Sequence, residues 1–354
     1  MKIVHIVFSL TVGGAEHMLI DIINHQAISR PVILIVINNV VDPVIKGKIS
    51  KKVKTYFLNR KPGERINLIF LLKLWYLMFL NKIIAIHCHN HNLIQMLPFW
   101  QSISCLTVHD VNYPVANMRK YKRVFAISNA VQTDLIVRAN IVPKLVYNGI
   151  NVSDILSRKA RINKSPFRLV QISRLDHEKK GQHIVLKALN ILVHTNGHKD
   201  ITVDFIGSGQ SLHFLKDLAA ELNVDRYVRF RGNLDRSYIY SNLKNYSLLL
   251  QPSLYEGFGL TVVEAMAARI PVLVSNIEGP LEIIAEGKYG YYFEKGDVVA
   301  CAYAIEGIIH RCTHKEFQVN LDSALRYVNE TFAVKQTAEK YLQEYTKLNF
   351  KSAL

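Results

Sequence analysis

Residues 253–268 read Ser-Leu-Tyr-Glu-Gly-Phe-Gly-Leu-Thr-Val-Val-Glu-Ala-Met-Ala-Ala. The apolar run at 246–252 (YSLLLQP) that leads into them has the pattern of a buried β-strand. Gly257 and Gly259 then allow the backbone to turn tightly and present its N–H groups. Val262, Val263, Ala265 and Met266 begin a helix, with Thr261 expected as its N-cap. Strand, glycine turn and helix N-terminus together form an anion site, because unpaired amides and the positive end of the helix dipole face the same point. Glu256 and Glu264 bracket that point. A carboxylate repels phosphate but accepts two hydrogen bonds from a diol beside one, and phosphate next to hydroxyls outlines a sugar nucleotide. The same residues permit a plainer reading, since Thr261-x-x-Glu264 is also a capping box.

Working outward, the 354 residues suffice for two ordinary domains. The formal charge of +16 is unevenly spread. Residues 1–160 hold 20 Lys and Arg against 7 Asp and Glu, whereas the remainder holds 24 against 21. A basic half suggests an anionic partner: nucleic acid, an acidic membrane surface or a phosphorylated substrate. Cys88, Cys105, Cys301 and Cys312 form no CxxC pair, which fits a reducing cytoplasmic compartment. The first ten residues, MKIVHIVFSL, read as a strand rather than a signal peptide. The most membrane-like stretch, residues 68–80 (LIFLLKLWYLMFL), is interrupted by Lys73 and too short to cross a bilayer.

In chain order, strands are expected at 2–8, 32–37, 83–87, up to Val108, and at 124–127, with helices at 19–24 and 66–80 and a basic, polar connection at 46–54. Residues 151–166 read as a linker. The pattern then restarts with strands at 167–173, 201–206, 227–230 and 272–275, helices at 182–194 and 211–222, and a final helix at 335–348. Apolar strands alternating with helices predict parallel sheets covered on both faces. Ligands bind such sheets beyond the carboxyl ends of the strands. Gly13, Gly14, His89, His109 and Ser128 all fall at those ends. The fold class expected is α/β, with two facing Rossmann-like doubly wound domains and a cleft between them. The domains are 1–160, 161–330 and a C-terminal helical segment, 331–354, packing back across the first.

With both halves read, the sequence resembles the retaining glycosyltransferases of the GT-B fold, the family-four "glycosyl transferases group 1". The most specific element is E-x7-E, matched by Glu256 and Glu264 within YEGFGLTVVEAMA. Gly13-Gly14-Ala15-Glu16, His109-Asp110, the Ser128-Asn129 of AISNAV, YNGI at 147–150, SRLDHEKKG at 173–181 and IGSG at 206–209 match in family order. Ser173 and Asn245 depart from the family's usual Gly and Asp.

The resemblance implies transfer of a hexose or N-acetylhexosamine from a nucleotide sugar, UDP-linked by family frequency, with retention of configuration. The acceptor would be a glycan or lipid-linked saccharide of O-antigen, lipopolysaccharide or capsule. Arg174 and Lys180 match the diphosphate-binding pair, for which a planar fork and a point charge are both suited. Glu264 matches the residue on the donor's ribose and Glu256 the one at the transferred sugar. The amides of Phe258, Gly259 and Leu260, after Gly257, would cradle phosphate. Gly13 and Gly14 would let backbone approach the donor. His109 matches the active-site histidine over the donor sugar, and Asp110 either orients it or caps the following segment. Glu16, His89, Asp110, Ser128 and Asn148 are assigned to the acceptor pocket. No Asp-x-Asp triplet occurs, so fixed cations rather than a metal are expected to stabilise the leaving diphosphate, and no cofactor is expected. His87, His89 and His91 alternate along one strand, but no carboxylate or further Cys accompanies them, and no metal site is assigned. Lys179 is left to solvent.

Two readings of 68–80 stay open: a buried helix of the first domain, or an amphipathic helix lying in the interface of an anionic inner membrane leaflet, with Lys51, Lys52, Lys54, Arg119, Lys120, Lys122 and Arg123 as its electrostatic support. A nucleic-acid binder is disfavoured, because no recognition motif or interleaved stacking aromatics accompany the charge. The nearer rivals keep the fold: a nucleotide-sugar epimerase, a GDP-mannose-dependent mannosyltransferase, a phosphorylase or an inactive binding subunit.

Overall fold

The computed structural model describes residues 1–11, 13–162 and 165–348. Through residue 150 the elements run β1 (Lys2–Val7), α1 (Gly14–Ser29), β2 (Val32–Asn38), α2 (Pro43–Gly47), β3 (Val53–Arg60), α3 (Leu68–Phe79), β4 (Ile83–Cys88), β5 (Ser104–Val108), β6 (Arg123–Ala126), α4 (Asn129–Ala139) and β7 (Lys144–Leu145). There follow β8 (Phe167–Ile172), α5 (His177–Lys180), α6 (Gln182–Asn190), β9 (Ile201–Ile206), α7 (Leu212–Glu221), β10 (Val228–Phe230), α8 (Arg236–Asn242) and β11 (Leu248–Gln251). The chain ends with α9 (Leu260–Ala267), β12 (Val272–Ser275), α10 (Glu278–Ile283), β13 (Tyr291–Phe293), α11 (Val298–Arg311), α12 (Lys315–Thr331) and α13 (Val334–Leu348).

The chain divides into two compact units, residues 1–150 with 332–354, and residues 151–331. The first is built on a seven-stranded sheet in the order β3-β2-β1-β4-β5-β6-β7, the second on a six-stranded sheet in the order β10-β9-β8-β11-β12-β13. The named pairings are parallel throughout, for example Val4 opposite Ile33 and Leu250 opposite Leu273. The fold class is therefore two Rossmann-like α/β units, as the alternation of apolar strands and helices requires. In unit 1, Ile3, Ala85, Cys105 and Phe125 of the sheet pack with Tyr341 and Tyr345 of α13. Val7, Leu34 and Val36 pack with Leu19, Ile20 and Ile23 of α1. Unit 2 encloses Leu169, Val203, Phe205 and Leu250 with Leu186 and Leu189 of α6 and Ile305 of α11.

Several expectations need correction. The unit boundary lies at 150/151 rather than 160/161. The presumed linker is instead anchored to unit 2, since Leu156 N–H donates to Tyr240 O at 3.1 Å and Arg158 N–H to Ala268 O at 2.9 Å. Asn163 and Lys164 of that stretch, and residues 349–354 of the terminal segment, lie outside the described residues. The basic connection at 46–54 ends α2 and starts β3, an edge strand whose burial is only partial and whose charged residues mask its pattern. Helix α1 begins at Gly14, five residues before the expected start. The buried-helix reading of 68–80 fails: only Leu74 and Met78 of α3 are buried. No described helix is long and apolar enough to cross a membrane.

Candidate active site

In unit 2 the chain leaves β8 toward β9 and leaves β11 toward β12, so adjacent strands β8 and β11 form the sheet's switch point, where ligands bind open α/β sheets. The loop after β8 carries Arg174 and passes through α5 to Lys180; the loop after β11 carries Glu256, Gly257 and Gly259. The two loops are joined by Leu254 N–H, which donates to Lys179 O at 2.9 Å. Gly181 has φ +68°, and a Cβ there would collide with the Pro252 carbonyl, so only glycine brings these loops so close.

That approach unites Lys180 and Glu256. Their side chains form an ion pair, at 17% and 18% exposure. Gln251, buried at the end of β11, donates from Nε2 to Glu256 Oε2 at 2.9 Å, and Thr261 donates from Oγ1 to Gln251 Oε1 at 2.9 Å. Gln171 of β8 fixes the other side through Nε2 to Lys180 O at 2.7 Å. A cation and a carboxylate thus stand together at the sheet's carboxyl edge. Arg174 is exposed on the same edge, its backbone carbonyl accepting from Gln182 Nε2 at 2.8 Å. Among the described residues its guanidinium has no hydrogen bond or ion pair.

Helix α9 starts at Leu260 from Gly259, whose φ of +114° sharply turns the chain. Thr261 is therefore inside the helix and bonded to Gln251, not its N-cap, and the capping-box frame is lost with it. Glu264 accepts from the Tyr240 hydroxyl at 2.8 Å, and Tyr240 accepts from Arg236 Nε at 2.6 Å. Burial, with Glu264 adding to it, raises the Tyr240 pKa and keeps the phenol a donor. The amide positions of Phe258, Gly259 and Leu260 line the turn into α9. Lys179, assigned to solvent from sequence, sits over the Tyr255 ring at 4.9 Å.

Unit 1 has its own switch point between β1 and β4. A cavity of about 250 Å³ lies there, lined by Phe8 and Ser9 after β1, Ala15, Glu16 and Leu19 of α1, His89 and Asn90 after β4, and His109 after β5. Glu16 accepts from Thr11 Oγ1 at 2.9 Å and folds over Gly13, where a Cβ would fall 2.5 Å from its carboxylate oxygen. Glu16, His89 and His109 are thus brought together. Ser128 and Asn148 are not among the cavity's lining: Ser128 Oγ caps α4 at Val131 N–H, and Asn148 is buried beyond β7. The Asp110 carboxylate accepts from Val111 N–H at 3.1 Å and also lies outside the lining.

Behind the cavity, His89 is stacked with His5, His87 and His109 at 5.5, 4.6 and 5.9 Å between ring centroids, and His5 is tilted against His87 at 5.1 Å. The nitrogens of His5, His87 and His89 lie within 4.8 Å of one another, a chelating distance. Both nitrogens of His5 are engaged, with His89 Nε2 at 3.2 Å and Gln26 Oε1 at 2.8 Å. His87 is held by the Tyr345 hydroxyl at 2.5 Å and Thr107 Oγ1 at 2.6 Å. With those lone pairs and protons committed, the cluster is a hydrogen-bonded stack rather than a ready metal centre. Burial pulls His109 down to about 4 against an opposing effect of Asp110, and His5 also to about 4. His87 is lowered by burial and then by His89, His5 and His109, and His89 by burial and then by His5 and His109. All four are neutral at pH 7. His109 Nδ1 is buried and without a hydrogen-bond partner among the described residues.

Sequence reasoning missed Gln171, Tyr240 and Gln251 in unit 2, and His5, Gln26 and Tyr345 in unit 1. A buried polar residue in an otherwise apolar strand, such as His5 in KIVHIV, was the available signal.

The sequence of unit 2 is similar to a known family. Residues 152–321 match the glycosyl transferases group 1. The matched stretch falls within the second unit, residues 151–331. The glycogen synthase of Mycobacterium tuberculosis is 33% identical over 165 residues, which is 47% of this chain and 39% of that protein. The chain thus spans about two-fifths of the length of that relative. A glycosyltransferase of Rickettsia africae has the same fold, with a TM-score of 0.80, 18% identity and coverage of 99% of both chains. So does the Alr3699/HepE protein of Anabaena, solved with UDP and glucose, with a TM-score of 0.79, 20% identity, and coverage of 98% of this chain and 100% of that one.

Proposed function

We propose that the protein transfers a hexose or N-acetylhexosamine from a UDP-linked sugar to a glycan or lipid-linked acceptor of a cell-surface polysaccharide, with retention of configuration and without a metal. The observation that carries this reading is the Lys180–Glu256 pair at the switch point of unit 2, beside the Gly257–Gly259 turn and the start of α9. The bond that breaks joins the anomeric carbon to the donor's phosphate oxygen, and negative charge grows on the departing diphosphate. Arg174, Lys180 and the amides of Phe258, Gly259 and Leu260 offset that charge, which prepositioned donors do without reorganisation. Glu264, oriented by Tyr240, accepts from the ribose hydroxyls, and Glu256 from those of the transferred sugar. The acceptor oxygen forms the new bond on the same face, and its proton passes to the departing phosphate. His109 serves as the active-site imidazole over the transferred sugar, neutral and with an unpartnered nitrogen that can take or give one hydrogen bond, and Glu16 serves the acceptor side.

Calorimetry against UDP, GDP, UDP-glucose, UDP-N-acetylglucosamine and GDP-mannose tests the reading. A UDP ligand binds the wild-type chain, and Arg174→Ala or Lys180→Ala lowers turnover by about 10²–10³-fold. Activity undiminished by excess EDTA is also expected. Absence of binding to every nucleotide, or full turnover in both variants, refutes it; a preference for GDP-mannose replaces the donor assignment.

A further inference from the structure

The end of unit 1 opposite its cavity has an unusual charge distribution. Parallel strands all begin at one edge of a sheet, and here five of the seven begin at or just after a basic residue: Lys2 for β1, Arg30 before β2, Lys52 before β3, Lys82 before β4 and Lys122 before β6. Register places them side by side, as Lys2 N–H donates to Lys82 O at 2.7 Å and Lys122 N–H to Ser104 O at 3.0 Å. Four of the five are exposed, Lys2 is half-buried, and none is in an ion pair among the described residues. No Asp or Glu occurs between Glu64 and Asp110, so the segment spanning α3, β4 and β5 contributes no opposing charge.

Helix α3 ends at this same rim, one turn before Lys82. Its Leu68, Leu72, Tyr76, Phe79 and Leu80 positions recur at helical spacing and are 53–67% exposed, and Phe99 beside them is 61% exposed. Such a row of exposed aliphatic and aromatic groups is far from the scattered apolar exposure normal for a soluble surface. The helix is about 18 Å long, enough to lie in a bilayer interface and too short to cross it.

We infer that this rim and the outer face of α3 dock the protein onto an anionic lipid bilayer, with the apolar row entering the headgroup–acyl boundary and the basic rim facing the lipid phosphates. Charge decides against a second copy of this chain, because a self-complementary contact would oppose like-charged rims. The apolar row decides against nucleic acid, which offers phosphates but no hydrocarbon. Docking by the amino ends of the strands leaves the cavity at their carboxyl ends open. The inference is independent of the proposed transfer reaction.

Both tryptophans of the chain lie in this patch, Trp75 against Phe99 at 5.0 Å and Trp100 against Phe79 at 4.7 Å between centroids, so intrinsic fluorescence reports on it directly. The full chain is to be floated with vesicles of phosphatidylcholine alone and of phosphatidylcholine with about 30% phosphatidylglycerol, at low and high salt, with brominated lipid as quencher. Binding to the anionic vesicles at low salt, with quenching, and at least about tenfold weaker binding to neutral vesicles or at high salt, is expected. Lys52→Glu with Lys82→Glu weakens it by about tenfold or more. Tyr76→Ser with Phe79→Ser abolishes the quenching while leaving nucleotide binding and the circular dichroism spectrum unchanged. Failure to bind anionic vesicles at low salt overturns the inference. So do binding without quenching, dimerisation that the Tyr76/Phe79 variant removes, or preferential binding to duplex DNA that this variant leaves intact.

Discussion

At the scale of single residues, Lys180 and Glu256 have two duties that pull in opposite directions. Each stabilises the other while the site is empty, and each is needed by a different part of a sugar nucleotide once it is filled. A purely structural ion pair would behave differently from a functional one, and a double-mutant cycle separates them. Lys180→Met leaves Glu256 a partly buried, unpaired carboxylate, and Glu256→Gln leaves Lys180 an unpaired cation. Each single change should therefore lower the chemical-denaturation stability by about 1–2 kcal/mol, discounted for the 17% and 18% exposure of the side chains. The double variant removes both charges and should recover most of that loss. Turnover should not recover: a fall of about 10²-fold or more is expected in both single variants and in the double one. Recovery of turnover together with stability would mean the pair only holds the loops in place.

At the scale of elements, the turn from β11 into α9 is held by backbone shape as much as by side chains. Gly259 sits at φ +114°, a conformation that L side chains rarely adopt. Gly259→Ala should cost about 1–3 kcal/mol of stability. It should also weaken nucleotide binding, because rotating this residue moves the first amides of α9. Calorimetry on the variant checks both, and unchanged binding would remove the turn from the site. This element also shows what sequence makes legible. The strand, the two glycines and the carboxylates at positions 256 and 264 could be placed from pattern alone, because each follows from local chemistry. The N-cap could not: Thr261 looks like a cap, yet its hydroxyl is claimed by Gln251, a partner ten residues earlier whose position depends on the sheet. Tyr240 beneath Glu264 was invisible for the same reason, since only the fold brings α8 to α9. Edge strand β3 was missed because Lys51, Lys52 and Lys54 around its start read as a solvated connection, and α3 was legible as a helix whose exposure stayed open between two readings. Ser128 and Asn148 follow strands as the cavity residues do, but the order of strands in the sheet, not their order in the chain, decides which loops meet.

At the scale of the whole chain, the imidazole stack links the two ends of the sequence. His87 is hydrogen-bonded to Tyr345, and Thr107 Oγ1 pairs with the Tyr341 hydroxyl at 3.0 Å, so α13 is fastened to β4 and β5 of unit 1 through polar groups inside a core. This arrangement requires neutral histidines. His5 and His109 have folded pKa values near 4, below the ordinary 6.5, so the unfolded chain binds protons more readily than the folded one between those limits. Stability then rises with pH across that window, is complete above about 6.5, and is lost progressively as pH falls through 6.5 toward 4. For the fully buried His5 alone the loss is on the order of 3 kcal/mol. His87 and His89, lowered in the same direction, add to it. Urea denaturation of the full chain, followed at pH 7.5, 6 and 5, should show a midpoint that falls steeply toward pH 5. His5→Gln should flatten that dependence even though it is itself destabilising at pH 7.5, because the amide does not titrate. A midpoint independent of pH between 7.5 and 5, or an equal slope in the His5→Gln variant, would show that the stack is protonated in the folded chain and that α13 is held by other contacts.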